Sequence, residues 1–433
     1  MSQTEKPGNQ RQSAPPPLSR RTFTSGLLAL PLAGSFSLQT AQASGPGPGG
    51  LADSKGDFDL SGICLNGASM HPVSRGAAQA MIRYVEQRAG RAPEPPVTLG
   101  ANRDKALREF AGLCNADLDE LAWVPTTTAG ENLVVAGLGL PNSRQRVVSD
   151  EYHFEGSLYL YSELAKRGLD FHLVRARNQR IDLNDIERAI TPGTRLVALT
   201  LVSNVYGFQH DLKAVCDIAH ARGALVYADI IQAAGAGPLD LHASGVDFAA
   251  CATYKWLMGD FGAAFLYARR DSQQYLQPSQ WGYRSGSLIT HFAQQSGEKL
   301  PLLESRPNEG LAGIVGVGTI SHSARTALAH SLPYLRALGM EAIDNWRQPL
   351  LAMLQERMPA MGFTPLTPPE SRAAIVAFAM KGAARQLQAP LEQAGIDVSV
   401  YENHLRISPS FFNDRDDIEQ LLEVISRALA GKV

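Results

Sequence analysis

The sequence contains few cysteines, and their positions exclude several kinds of site. Among its 433 residues only four are cysteines, and none has the C-x-x-C or Cys/His spacing of a metal site: Cys64, Cys114, Cys216 and Cys251. All four stand in apolar surroundings, so we predict buried free thiols rather than disulfides. No metal-binding site is predicted, and no cysteine follows Cys251.

The sequence also lacks a strong charge bias and a long apolar run. Its formal net charge is -2, and no Lys/Arg-rich stripe follows the N-terminal segment, which argues against a nucleic-acid partner. No apolar run is long enough for a stable transmembrane helix. With 44% hydrophobic and 19% charged residues, the composition is typical of a soluble globular enzyme with a small-molecule partner.

The first 43 residues have the order of features of an export signal. A polar, proline-rich start leads to the twin arginine Arg20-Arg21, a short apolar run over Gly26–Phe36 and the small-residue cleavage site Ala41-Gln42-Ala43. A disordered tail would explain this composition but not this order. We therefore expect residues 1–43 to be a twin-arginine signal peptide that engages the Tat export machinery, and the mature protein to be periplasmic.

The remainder of the chain is predicted to be an α/β protein. After a Gly/Pro-rich linker at 44–56, the apolar runs "TRLVALTLVSNVYG" and "GALVYADI" read as buried parallel strands, and "DLKAVCDIAHARG" between them has helical spacing. This βαβ order predicts a large domain over 57–320 with a mainly parallel sheet between helices. Residues 321–433 open with one long helical stretch and predict a smaller α+β domain, to which the N-terminal segment also contributes.

Two charged residues, Asp229 and Lys255, lie in strongly apolar surroundings. Each stands near the end of a strand-like run, where ligands bind in open α/β sheets. Because buried charges are costly unless they are paired, both side chains are predicted to face one cleft. Pyridoxal phosphate would pair with both, since Asp229 can keep its ring nitrogen protonated and Lys255 can bind its aldehyde.

The motif around these residues resembles a known family. "YADIIQAAG", followed by "DLHASGVDFAACATYKWL", is similar to the class V aminotransferase group of fold-type I pyridoxal-phosphate enzymes, which includes cysteine desulfurases, kynureninases and isopenicillin N epimerase. The similarity extends from "ICLNGASMHPV" to the C-terminus. It implies the fold-type I architecture, with a seven-stranded sheet in the large domain.

The resemblance also implies contacts to the cofactor. Gln232 would contact its phenolic oxygen, and "TTTAGEN" stands where the family has its T-x-x-A-T-E turn. Thr128, Ala129 and Gly130 would then bind the phosphate at a helix N-terminus, where free amides and the helix dipole favour an anion. Gly130 replaces the usual threonine. Tyr254 stands where the family often has histidine, in an arrangement similar to that of kynureninase, where a tyrosine hydroxyl reaches the phosphate.

Further positions follow from the same resemblance. Phe154 is expected to stack on the cofactor ring, with Tyr152 and His153 as alternatives. Asn204 would lie beside the cofactor and the substrate. Arg406 matches an arginine that holds the substrate α-carboxylate, a task that suits the guanidinium fork. Thr319, in "GVGTI", resembles a residue that reaches the phosphate of a neighbouring subunit, which implies a homodimer.

Each of these residues has an ordinary structural explanation when it is considered alone. Asp229 could cap a helix, Lys255 could extend along the surface, and Arg406 could form a surface salt bridge. The aromatic residues could simply belong to the core. Their joint order and spacing favour the functional interpretation.

The resemblance leaves several reactions open. The desulfurases use a cysteine on a late loop, and no cysteine follows Cys251, so we exclude that activity and selenocysteine lyase. The chain is similar to periplasmic pyoverdine-tailoring enzymes, which implies oxidative decarboxylation of a siderophore glutamate to succinamide. Transamination and epimerisation are the alternatives. An exported binding protein that keeps the fold without catalysis is a further alternative, which the retention of Asp229, Lys255 and Arg406 disfavours.

Overall fold

The computed structural model describes residues 50–92, 96–288 and 305–431. The predicted signal peptide at 1–43 lies outside the described residues, as do residues 44–49 of the predicted linker. The last part of that linker is not extended, because Gly50–Asp57 forms a 3-10 helix.

The described residues contain twelve α-helices and fifteen strands. The helices are α1 (Arg75–Arg88), α2 (Leu99–Cys114), α3 (Thr127–Gly137), α4 (Glu155–Ala165), α5 (Leu183–Ala189), α6 (Leu212–His220), α7 (Leu241–Ser244), α8 (Gly310–Val315), α9 (His322–Leu338), α10 (Met340–Ala360), α11 (Ala383–Gln393) and α12 (Arg415–Leu429). The strands are β1 (Ile63–Cys64), β2 (Leu121–Val124), β3 (Arg146–Asp150), β4 (Asp170–Val174), β5 (Thr194–Thr200), β6 (Leu225–Asp229), β7 (Phe248–Ala252), β8 (Ala264–Ala268), β9 (Gly286–Leu288), β10 (Ser305–Pro307), β11 (Thr364–Pro365), β12 (Val376–Ala379), β13 (Ile396–Asp397), β14 (Ser399–Tyr401) and β15 (His404–Ile407). Within the described ranges, none of the helices has the length and apolar character needed to cross a bilayer.

A seven-stranded sheet organises the largest hydrophobic core of the described residues. Its strand order is β2-β8-β7-β6-β5-β3-β4. Strands β3 to β7 pair in parallel, and β8 pairs antiparallel with both β2 and β7. Every residue of β6 and β7 is buried, as expected for strands that are covered by helices on both faces. The predicted α/β fold with a mainly parallel seven-stranded sheet is confirmed.

The predicted βαβ unit is present as β5, α6 and β6. Helix α6 begins where the Asp211 side chain accepts a hydrogen bond from the Ala214 amide, and Gly223 adopts a positive φ of 73° after its last turn. Because both strands are parallel, Thr200 and Asp229 stand side by side at their carboxyl ends. This sheet edge is where the predicted site should lie.

A second sheet has four antiparallel strands in the order β11-β12-β15-β14 and covers a separate apolar core. Near the N-terminus, β1 pairs in parallel with β13 from the C-terminal part of the chain. The described residues form one compact unit. The division into two domains at residue 320 stays a prediction.

The helical stretch after residue 320 differs from the prediction. It was expected to be continuous, yet α9 ends at Leu338 and α10 begins at Met340. Gly339 between them has φ 84° and ψ 127°, which a helix cannot accommodate. Periodicity continues across the break in the sequence, so the glycine was the only signal.

Candidate active site

A cleft of about 250 Å³ opens at the carboxyl edge of the seven-stranded sheet. It is lined by Thr126, Thr127, Thr128, Glu131, Phe154, Ser157, Thr200, Asn204, Asp229, Ile231, Gln232, Ala252, Tyr254, Lys255 and Phe261. The sheet supplies it with rigid strand ends, and helix α3 supplies an N-terminus. Most of the predicted site residues are therefore brought together in one cavity.

Asp229 and Lys255 face this cleft as predicted. Burial raises the pKa of the Asp229 carboxyl to about 6, although the Ile231 amide donates to its Oδ1 at 2.9 Å and His153 and Lys255 lie nearby. Burial also lowers the pKa of Lys255 to about 8, against the attraction of Asp229. Burial thus destabilises the charged form of each group. A cofactor with a basic nitrogen and an aldehyde would give both groups a partner.

The N-terminus of α3 differs in detail from the predicted phosphate site. Thr126 is its N-cap, and the Thr126 hydroxyl accepts the Ala129 amide at 3.0 Å. The Gly130 amide donates to the Thr126 carbonyl at 3.0 Å. The amides of Ala129 and Gly130 are therefore already bonded, and neither residue lines the cleft, which corrects that part of the prediction. Thr126, Thr127 and Thr128 line it instead.

Gly130 has a packing reason for lacking a side chain. A Cβ atom there would stand 3.0 Å from the Cβ of Ala250 in β7. Thr127 draws the same helix towards the sheet, because its hydroxyl accepts the Ala252 amide at 2.9 Å. The absent threonine thus allows the helix to lie close against the strand.

Of the three aromatic candidates, Phe154 lines the cleft. Tyr152 instead packs against Tyr206, with ring centroids 4.8 Å apart. His153 is buried beneath the cleft: its Nδ1 accepts the Phe154 amide at 2.9 Å, and its Nε2 lies 3.2 Å from Glu131 Oε1. The geometry thus favours Phe154 as the ring that would stack on the cofactor.

Glu131 was missed by sequence reasoning. Its buried carboxylate accepts hydrogen bonds from His153, from the Tyr161 hydroxyl at 2.9 Å and from the Ser157 hydroxyl. Although burial opposes protonation, the nearby carboxylates of Glu131, Asp229 and Asp150 hold the pKa of His153 above its ordinary value. This network joins α3 to α4 and fixes the segment that carries Phe154.

Gln232 and Tyr254 both line the cleft, as predicted. The Gln232 amide donates to the Ala68 carbonyl at 3.0 Å, and its Oε1 accepts the Trp256 indole N–H at 2.8 Å. One of its two N–H bonds has no intrachain partner in these contacts and could reach a cofactor oxygen. The Tyr254 ring stacks on Phe261 at 4.4 Å.

Arg406 is buried and has no carboxylate partner among the described residues. Its guanidinium donates to the Asn204 carbonyl at 2.7 Å, to the Ser69 hydroxyl at 2.6 Å and to the Ser399 hydroxyl at 2.8 Å. Its Nε has no acceptor. Because all of these acceptors are neutral, the positive charge is uncompensated, which is what a site for a carboxylate requires.

Thr319 lies outside the cleft. It is exposed, and its hydroxyl is hydrogen-bonded to the Tyr283 hydroxyl. The described residues therefore do not bring Thr319 to the phosphate site of its own chain, and its predicted role towards a second subunit stays a prediction.

The residues of the cleft fit pyridoxal phosphate. A buried carboxylate and a buried amine lie in one cavity, with an aromatic ring and three threonines at a helix N-terminus. Asp229 would hold the ring nitrogen, Lys255 the aldehyde, and the threonines the phosphate. No residue of the cleft other than Lys255 is cationic.

Comparisons with known proteins agree with this geometry. The sequence model of the aminotransferase class V family matches residues 80–421. A probable cysteine desulfurase from Methanothermobacter thermautotrophicus is 30% identical over 290 residues, covering 65% of this chain and 69% of the relative. A cysteine desulfurase from Methylobacillus flagellatus is 28% identical over 250 residues, covering 54% of this chain and 62% of the relative.

Solved structures show the same fold. A cysteine desulfurase from Escherichia coli superposes with a TM-score of 0.76 at 21% identity, covering 88% of this chain and 99% of that one. The apo cysteine desulfurase from Thermococcus onnurineus gives a TM-score of 0.75 at 21% identity, covering 88% and 98%. The family match extends over most of the chain and includes Arg406 and all of the cleft residues, from Thr126 to Phe261. The chain thus belongs to the class V aminotransferase family and is a pyridoxal-phosphate-dependent enzyme.

Proposed function

We propose that this enzyme is exported to the periplasm and acts at the α-carbon of an amino-acid group. The proposed substrate is the glutamate of a pyoverdine siderophore precursor, whose α-amino and α-carboxyl groups are free. The observation that carries the proposal is Arg406, a buried cation without a carboxylate partner among the described residues, whose guanidinium donates to the carbonyl of the cleft residue Asn204.

The side chains of the cleft divide the chemical tasks. When bound, pyridoxal phosphate supplies an electron sink for charge that develops at the substrate α-carbon. Arg406 binds and orients the α-carboxylate, and the Asn204 carbonyl holds Arg406 in place. Lys255 is positioned to move a proton, since a pKa of about 8 leaves part of its amine uncharged near neutral pH.

The proposed overall reaction is an oxidative decarboxylation with dioxygen as co-substrate. The bond between the α-carbon and the carboxylate breaks, one oxygen atom joins the α-carbon, and the nitrogen stays as a primary amide. Glutamyl side chain and dioxygen thus give succinamide side chain, carbon dioxide and water. The twin arginine at positions 20 and 21 supports the periplasmic part of the proposal, because an arginine pair before a short apolar run is typical of an export signal.

Sulfur transfer, the activity named for the relatives above, is disfavoured by the thiols of this chain. Burial raises the pKa of all four cysteines, to about 11 for Cys64 and about 12 for Cys216. A thiol of this kind is a poor nucleophile, because the thiolate is the reactive form. Cys251, the last cysteine of the sequence, is fully buried in β7.

Transamination or epimerisation is the second candidate. The lowered pKa of Lys255 favours it, since both reactions require a base that removes and returns the α-proton. A periplasmic transaminase would give an α-ketoglutaryl side chain from the same precursor.

We also propose that the enzyme is a homodimer in which Thr319 reaches the phosphate of the partner. The cleft supports this arrangement, because it is open at Phe261, whose side chain lines the cavity although it is 56% exposed. A second copy that covers this edge would bury the ring and complete the phosphate site.

One incubation tests the reaction. Purified enzyme and a glutamyl siderophore precursor should consume oxygen, release carbon dioxide and give a product with the mass of the succinamide form. A keto-acid product without oxygen uptake would establish transamination instead. A colourless protein that binds the siderophore unchanged would show a binding protein and overturn both enzymatic proposals.

A second experiment tests localisation. Replacement of both Arg20 and Arg21 by lysine should leave the protein in the cytoplasm, where it should still bind the cofactor. Replacement of the nearby Arg11 by lysine is the matched control and should leave export unchanged. Export of the double variant would contradict a twin-arginine route.

A further inference from the structure

A second cavity of about 200 Å³ adjoins the cofactor cleft. It lies among the segment after β6, the loop before β12 and helix α10. Gln232 lines both cavities. The side chains that matter to its chemistry are those of Gln209, Gln232, Asp344, Arg347 and Arg372.

Arg347 is the unusual member of this set. It is 1% exposed, and its Nη2 donates to the Ala236 carbonyl and, at 3.4 Å, to Asp344 Oδ1. Its Nε and Nη1 have no acceptor. Three of the five N–H bonds of a buried guanidinium are therefore without a protein partner, an arrangement that costs free energy unless a ligand or water fills it.

The charges around the cavity do not balance. Asp344 is shared by two arginines, because its Oδ2 accepts from Arg372 while its Oδ1 faces Arg347. No other carboxylate of the described chain forms an ion pair with either arginine. One positive charge thus remains uncompensated beside the buried guanidinium of Arg347.

We propose that this cavity is a binding site for a small carboxylate anion, held by the free N–H groups of Arg347 and by Arg372. The volume admits an anion the size of formate or acetate but not a substrate as large as a siderophore. The site is separate from Arg406, and it does not depend on which reaction the enzyme catalyses.

The cavity is also joined to the cofactor cleft. The Trp256 indole N–H donates to Gln232, and the guanidinium of Arg347 lies 5.8 Å from the centre of the Trp256 ring. A carboxylate bound to Arg347 would thus be separated from Gln232, which lines the cofactor cleft, only by the Trp256 side chain.

Binding can be measured on the full-length holoenzyme with sodium acetate as the probe. Calorimetric titration and thermal unfolding are compared with equal concentrations of sodium HEPES, whose bulky anion cannot enter the cavity. Acetate should bind saturably and raise Tm, because a ligand of the native state stabilises it. Arg347→Met should weaken acetate binding by about tenfold or more.

Two variants with opposite expected effects on acetate affinity distinguish binding at this site from a general effect of salt on the protein. Asp344→Asn removes the competing carboxylate and should tighten acetate binding several-fold, whereas Arg372→Met leaves Asp344 free to neutralise Arg347 and should weaken it. Arg357→Met, on the exposed side of α10 beside Glu419, is the matched control and should bind acetate as the wild type does.

The result can also go against the proposal. Equal effects of acetate and HEPES on the wild type would show that the cavity holds only water. Acetate binding that is lost in Arg406→Gln but kept in Arg372→Met and unchanged in Asp344→Asn would assign the anion to the substrate site and overturn the inference. If Arg347→Met does not fold, the Asp344 and Arg372 variants decide.

Discussion

The two sheets carry buried charges that differ in whether they have a partner. At the edge of the seven-stranded sheet, the carboxylate of Asp229 and the amine of Lys255 are both buried and attract each other. On the four-stranded sheet, Arg406 is buried among neutral oxygens and has no anionic partner in the described residues. The first pair is prepared for a cofactor that bridges it, and the second site is prepared for an anion that arrives with the substrate.

The strongest test of this contrast removes the amine. Lys255→Ala should lower turnover by about a thousandfold or more, because it removes both the group that binds the aldehyde and the proton carrier. Borohydride treatment followed by mass spectrometry should show a cofactor adduct in the wild type only. Lys213→Ala, at an exposed pair with Asp217, is the control. An adduct that persists in Lys255→Ala would contradict the assignment.

The next test removes the unpaired cation. Arg406→Gln should lower kcat/KM for the amino-acid substrate by about a hundredfold, since a buried charge pair in the complex is lost. The cofactor adduct on Lys255 should be retained, which separates the two sheets. Arg415→Gln, at the exposed start of α12, should behave as the wild type. Loss of the adduct together with activity would mean that Arg406 supports the cofactor rather than the substrate.

The buried pair of Asp229 and Lys255 also predicts how the stability of the protein depends on pH. In the cofactor-free protein the pKa of Lys255 is about 8, below its ordinary 10.5, so the unfolded chain binds more protons between these values. Stability from this residue is therefore lowest below pH 8 and rises up to about pH 10.5. The wild type should gain about 3 kcal/mol relative to Lys255→Met across that window, measured by urea unfolding. A pH-independent difference would contradict the burial of the amine.

The smallest expected effect concerns the aromatic ring. Phe154→Leu should weaken cofactor affinity by about tenfold, because stacking adds to simple burial. Tyr152→Phe should leave the affinity unchanged, since that ring packs against Tyr206 outside the cleft. Equilibrium dialysis of the cofactor measures both, and the reverse ranking would move the stacking role to Tyr152.

Strand ends were the most predictable part of the site. A buried parallel strand that ends in Asp229 must present that carboxylate at the sheet edge, and the same reasoning brought Lys255 to the same cleft. The choice among Tyr152, His153 and Phe154 could not be made from the sequence, because three consecutive residues at a helix start point in different directions. Only the placement of His153 against Glu131 left Phe154 in the cleft.

The phosphate end was predicted less accurately. The motif placed its contacts at Thr128, Ala129 and Gly130, whereas the helix begins at Thr127 and its N-cap Thr126 accepts the amides of Ala129 and Gly130. The T-T-T run before the apolar stretch was an N-cap signal that could have shown this. Arg347 carried no such signal, because an arginine within a long helix looks like a solvated residue until the fold buries it.

The hydrogen bonds of Arg406 have a consequence for the arrival of a ligand. Its guanidinium ties together the segment around Ser69, the turn at Asn204 and the hairpin strand at Ser399. A carboxylate that binds the free Nε–H of Arg406 would compete with these oxygens for the guanidinium and weaken their hydrogen bonds. Each catalytic cycle would then weaken and re-form hydrogen bonds that connect three distant parts of the chain. Amide hydrogen exchange around Ser69 and Ser399 should therefore change when substrate binds.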